Sequence, residues 1–236
     1  MHLTRGEGVL QSLAFVACLA GLPACAQSVI SAKAGLVHHT EGRASLNAQP
    51  LPRDFGVFPQ MKDGDTFLTG RGRAEILLAP GVFLRLGQRT AIRMISDMIM
   101  DAKVELVSGE AVLEAASLQK AETVTMPLLG AIVSITKRGL YHLETNPVAL
   151  RVFKGKALVL SGDRRIEVAR GEELLFDGAW TKREFDRSQT DALDMWSDGR
   201  SRLMASAEAA AALRDSEHRD EDEFSAARLY RGFGRR

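Results

Sequence analysis

Lys62-Asp63-Gly64-Asp65-Thr66-Phe67-Leu68-Thr69-Gly70-Arg71-Gly72-Arg73-Ala74-Glu75-Ile76-Leu77-Leu78-Ala79-Pro80-Gly81-Val82-Phe83-Leu84-Arg85-Leu86-Gly87 is the stretch from which the fold can be read. A Gly-Asp turn leads to a Thr-Gly turn, an Ala-Glu strand, a Pro-Gly turn and a Leu-Arg-Leu strand. Val82, Leu84 and Leu86 alternate with Phe83 and Arg85. A strand sends successive side chains to opposite faces, so this alternation predicts one face on a core and one in water.

The same texture extends outward, from Ser28 to about Phe185. Ala91-Ile92-Arg93-Met94, Val104-Glu105-Leu106, Leu150-Arg151-Val152 and Ile166-Glu167-Val168 repeat the alternation. Asp63-Gly64, Pro80-Gly81, Ser108-Gly109, Lys154-Gly155, Gly162-Asp163, Arg170-Gly171 and Asp177-Gly178 separate the apolar segments. Glycine reaches the left-handed conformation that tight turns need. A weak repeat of strand-Gly-strand form is visible around Gly35, Gly109 and Gly155, at unequal intervals. Short strands with frequent turns predict a mainly β chain of stacked antiparallel hairpins, solenoid- or sandwich-like and irregular.

After Phe185 the texture changes. Leu193, Trp196, Arg200, Leu203 or Met204, Ala207 and Ala211 recur at helical spacing, and Ala205–Ala212 favours helix. One C-terminal amphipathic α-helix is expected within 186–215, with Asp186 or Ser188 as its cap and Trp196 laid on the β-domain. Residues 216–236, with Asp220-Glu221-Asp222-Glu223, have the composition of a disordered tail.

At the other end, Arg5 precedes an apolar run from Val9 to Leu22, then Pro23 and Ala24-Cys25-Ala26. The run is short of the roughly 20 residues that span a bilayer, and small residues follow it. A signal peptide over 1–26, cut between Ala26 and Gln27, is expected, which leaves the β-domain as 27–185. Cleavage there would remove both cysteines, Cys18 and Cys25. Leu22-Pro23-Ala24-Cys25 also resembles a lipoprotein box, in which Cys25 would be lipidated and the chain anchored to a membrane. The protein is therefore expected in the periplasm or secreted, with lipid anchoring in the envelope as the alternative.

Composition and motifs exclude several activities. Lys and Arg number 31 against 30 Asp and Glu, and aromatics are 6%, so nucleic acid is not an expected partner. His38 and His39, as strand neighbours, should face opposite ways and not share an ion, and His142 sits in a strand-like segment. No metal and no other cofactor is expected. Asp63, Asp65, Glu75, Glu105, Glu110, Glu114 and Glu144 fall at turns or on polar strand faces. No phosphate loop or nucleophile elbow is present, and no catalytic residue is assigned.

The 62–87 stretch resembles the core motif of the FecR domain family, and Val104-Glu105-Leu106-Val107-Ser108-Gly109-Glu110-Ala111 resembles the strand and turn that follow it. The resemblance covers about 30–169. It implies an extracytoplasmic all-β module of stacked hairpins that passes signals by protein contact. Its best-known members connect an outer-membrane iron-chelate receptor to a cytoplasmic sigma factor, hence an implied link to iron-transport regulation. A cytoplasmic anti-sigma region ahead of a membrane helix is not expected in this chain. The expected function is non-enzymatic: signalling or binding through an envelope protein partner, or else a structural or adhesive role in the envelope. Arg71, Arg73, Arg85 and Arg93 form a basic band, and as solvent-facing residues they would meet an acidic partner.

Overall fold

The computed structural model describes residues 33–52, 58–207 and 209–210. The expected signal peptide, cleavage site, lipidation site and C-terminal tail lie outside them. The strands are β1 (Leu36–Leu46), β2 (Gln49–Pro50), β3 (Thr66–Ala79), β4 (Val82–Leu86), β5 (Ala91–Ser96), β6 (Asp101–Ser108), β7 (Glu110–Ala115) and β8 (Thr123–Leu128). They continue as β9 (Ala131–Ile135), β10 (Gly139–Thr145), β11 (Val148–Lys154), β12 (Lys156–Ser161), β13 (Arg164–Ala169), β14 (Glu172–Leu175) and β15 (Lys182–Glu184). One helix, α1, begins at 192 and is helical at every described position to 210. The chain is mainly β with one C-terminal helix, as the alternation predicts.

All strands join one nearly closed sheet in the order β13-β12-β9-β8-β6-β5-β3-β4-β7-β10-β11-β14-β15, with β1 along β3 and β2 on β1. The long strand β3 explains the closure. Its start, Thr66–Leu68, pairs with β5, and its end, Ala74–Ala79, pairs with β4. The sheet folds over at β3, so β4, β7, β10, β11 and β14 form one half, and β5, β6, β8, β9, β12 and β13 the other.

The chain repeatedly crosses between the halves, and the strand-Gly-strand repeats are two of the crossings. Gly109 leads from β6 to β7, and Gly155 from β11 to β12, at φ of 91° and 86°. Both corners are tight. A Cβ at Gly109 would stand 2.4 Å from Thr90 Oγ1, and one at Gly155 would stand 2.5 Å from Arg138 O. Only glycine combines that φ with that approach.

Inward-facing side chains form a single core. Ile76, Leu84, Leu113, Tyr141 and Val152 line up across β3, β4, β7, β10 and β11. Beside them run Ala74, Leu86, Ala111, Leu143, Leu150 and Leu174. Each fully buried Leu, Ile or Val contributes about 2 kcal/mol of transfer free energy. The 62–87 motif also locks itself locally. Thr69 Oγ1 donates to Gly87 O at 2.6 Å and accepts from Thr90 N at 2.9 Å, which ties β3 to the β4–β5 connection.

The helix starts later than its expected caps. Asp186 instead holds a local turn, accepting from Ser188 N at 2.9 Å. Asp191 is the cap: its Oδ1 accepts from Leu193 N and Asp194 N, both at 2.9 Å. Asp194 Oδ2 accepts in return from Asp191 N at 3.2 Å, completing a reciprocal capping box. Among the described residues no helix is long and apolar enough to cross a membrane.

Candidate functional site

Between the two apolar rows, on the outer face, one rung of the sheet is polar. Register places Glu75 opposite Arg85, Arg85 opposite Val112, Val112 opposite His142, His142 opposite Arg151, Arg151 opposite Glu173 and Glu173 opposite Arg183. Period-two alternation puts these side chains on the face away from the core. They are nevertheless buried over most of the rung, because α1 lies across them.

Arg85 was expected in solvent, and the structure corrects this: the residue is 0% exposed. Its Nε donates to Glu75 Oε2 at 2.8 Å, and its Nη1 to Glu114 Oε2 at 2.5 Å and Ser197 Oγ at 2.8 Å. Glu75 also accepts from Arg200 Nη2 at 2.7 Å and faces His38 Nδ1 at 2.8 Å. Burial alone would raise the Glu75 carboxyl. Hydrogen bonds from Arg200, Arg85 and His38 outweigh it and pull the pKa down to about 2. The remaining arginine nitrogen, Nη2, is buried with no hydrogen-bond partner, while the guanidinium centre lies 5.5 Å from the Phe83 ring centroid.

The buried face of α1 is correspondingly polar. Leu193, Asp194 and Ser197 are buried, with Arg200, Ser201 and Met204 partly covered. Trp196 lies on the β-domain: its Nε1 donates to Glu41 Oε1 at 2.8 Å, and its ring stacks on His39. The Arg73 guanidinium sits 5.7 Å from that ring. Leu203 points outward, and Met204 takes the inward place.

The other expected site residues separate. Arg71 is exposed, Arg73 serves the helix seat, and Arg93 pairs with Glu105 across β5 and β6 on an open face. They do not form one basic band. His38 and His39 do not face opposite ways either: a bulge between Val37 and His39 brings both to the helix side. They touch different groups there, Glu75 and Trp196. Asp63 accepts from Asp97 N, and Asp65 from Lys62 N and Asn47 Nδ2, so these paired acids stabilise turns.

Two further features carry no signal in the sequence. The first is a cluster at the helix start. His142 is 1% exposed, and its Nδ1 lies 2.9 Å from Asp194 Oδ1 and 3.8 Å from Asp191 Oδ2. Burial would lower the His142 pKa, but the hydrogen bond to Asp194 and the charges of Asp194 and Asp191 raise it overall. Burial pushes the Glu110 carboxyl up, and Asp191, Glu144 and Asp194 add to the effect, with His142 opposing them. A polar cavity of about 430 Å³, lined by Arg73, Gln88, Arg89, Glu110, Glu144 and Ala192 among others, opens beside the cluster.

The second feature is a gap in the other half. β6 and β8 run parallel and pair only over Asp101–Lys103 and Thr123–Thr125. Further along β8 comes Pro127, which has no N–H to donate. The strands part into a shallow groove lined by Glu105, Val107, Pro127, Leu129 and Ile132. Val107, Leu129 and Ile132 are 46%, 64% and 44% exposed.

No family model matches the chain, and no curated protein matches it. Among solved structures, two crystal structures of a candidate anti-sigma factor from Parabacteroides distasonis are similar. One is 15% identical with a TM-score of 0.44, covering 51% of this chain and 59% of that one. The other is 16% identical with a TM-score of 0.45, covering 52% and 61%. This chain thus spans about three-fifths of the length of the protein it matches.

Proposed function

We propose that the protein is a non-enzymatic FecR-like module of the cell envelope that acts by binding another protein in the groove between β6 and β8. The groove carries this reading. Extended peptides add to a sheet where backbone edges are unpaired and side-chain pockets are near. Here the edge of β6 beyond Lys103 is not paired with β8 or any other strand on that side among the described residues, and exposed Val107, Leu129 and Ile132 supply apolar contacts. Exposed apolar clusters of this kind mark interaction surfaces. The 62–87 motif and the export pattern support an envelope role. Cleavage before Gln27 would release the chain to the periplasm or medium, and lipidation at Cys25 would anchor it. The partner proposed is an extended segment of an envelope receptor or membrane-bound regulator.

The test is photo-cross-linking in intact cells from positions 107 and 132. Capture of a receptor or regulator, lost in the Ile132→Asp variant but kept in Arg71→Ala, supports the groove. Capture unaffected by Ile132→Asp, or only of envelope polymer, overturns it.

A further inference from the structure

We infer that Glu110, His142 and Asp191 form a binding site for a first-row divalent cation such as Zn²⁺, joining the sheet to the first turn of α1. One imidazole nitrogen and one oxygen of each carboxylate lie within 4.8 Å of one another. The three come from separate elements: Glu110 from the start of β7, His142 from β10, and Asp191 from the helix cap. Adjacent strands β7 and β10 set Glu110 opposite Glu144, one diagonal step from His142 on the same face. Imidazole with two carboxylates is a donor set suited to Zn²⁺ and its neighbours, at bonds of about 2.0–2.2 Å.

Several observations point to a ligand rather than to a solvated acidic patch. His142 is 1% exposed, yet its Nε2 is buried without a hydrogen-bond partner. Its Nδ1 is held by the carboxylate of Asp194 at 2.9 Å. A carboxylate on the second ring nitrogen is the usual support of a metal-binding histidine. The Glu110 carboxylate has no hydrogen-bond or ion-pair partner among the described residues, although it is half-buried and lies against Gly87. Asp191 reaches both the helix and the ring: Oδ1 caps the helix, and Oδ2 lies 3.8 Å from His142 Nδ1. Charge balance favours a cation as well. Glu110, Asp191 and Asp194 lie around His142, while Glu144 is paired with Arg151, and Arg73 and Arg89 stand on the cavity wall. Glu110 and Ala192 also line the open cavity of about 430 Å³, which supplies an access route. Binding would displace any proton on the coordinating imidazole nitrogen and draw the three donors together by about 1 Å.

Isothermal titration of the chelator-stripped mature chain with Zn²⁺ tests the site. One ion per chain is expected, with thermal unfolding moved upward in its presence. Glu110→Gln should fold as the unchanged chain does, because its carboxylate holds nothing else in the structure, and should weaken binding at least about tenfold. Asp194→Asn should weaken it about 10–100-fold. The His38→Ala/His39→Ala double variant should retain the ion. Absence of stoichiometric uptake, uptake unchanged in Glu110→Gln, or uptake abolished by the His38/His39 changes alone would each overturn the assignment. None of these outcomes depends on the peptide groove, which lies in the other half of the sheet.

Discussion

Leu84-Arg85-Leu86 and Ile92-Arg93-Met94 are the same local pattern in the two halves of the sheet. Each arginine points away from the core between two buried apolar residues. Arg85 is sealed and holds Glu75, Glu114 and Ser197; the Arg93 side chain is 54% exposed and holds only Glu105. The difference is not in the strands. It comes from a helix more than a hundred residues later, which lies over one half and leaves the other open. An outward polar residue is thus an anchor in one half and an ordinary surface charge in the other.

Breaking the anchor should have the largest effect. Arg85→Ala leaves Glu75 buried with only Arg200 and His38 as partners and should cost up to about 3–5 kcal/mol in urea unfolding, because a buried ion pair is broken. The double change Glu75→Leu with Arg85→Met should cost less than Arg85→Ala alone, since it removes both charges. Acid gives an independent measure. Glu75 sits at about 2 in the folded chain against an ordinary 4.5, so its stabilisation is complete above 4.5 and is lost as pH falls towards 2. The whole contribution is at most about 3 kcal/mol. Glu75→Gln should remove that part of the pH dependence, read from unfolding midpoints between those values.

The helix seat should respond more mildly. Asp191→Ala removes the cap and should lower stability by about 1 kcal/mol, with faster amide exchange in the first turn of α1. The smallest effect is expected on the open face: Arg93→Ala should cost no more than about 0.5–1 kcal/mol, and less at high salt. A loss as large as that of Arg85→Ala would mean that the open half is covered in solution.

Much of the β-domain was legible in the residues. The turns at Gly64, Gly81, Gly155 and Gly171 stand where strands meet, and the alternation in β4, β5 and β6 identifies the core faces. The helix was legible from its spacing, but not its cap or its inward face. Asp186 and Ser188 precede the helix at a suitable distance, and only the fold brings Asp191 and Asp194 into reciprocal bonds. The Glu110–His142–Asp191 cluster left no trace, because its members are distant in sequence and meet through strand register and helix placement.

By itself the sequence determined that the chain is mainly β, where many of its turns fall and which side of strands such as β4, β5 and β6 meets the core. These depend on local backbone preference and on a period of two residues. The tertiary structure alone decided what covers the other side. Alternation distinguishes two faces, but whether a polar face meets water or a helix depends on contacts between residues such as Arg85 and Ser197, far apart along the chain. The same long-range placement decided that Glu75 is ionised and buried, and that the gap between β6 and β8 stays open.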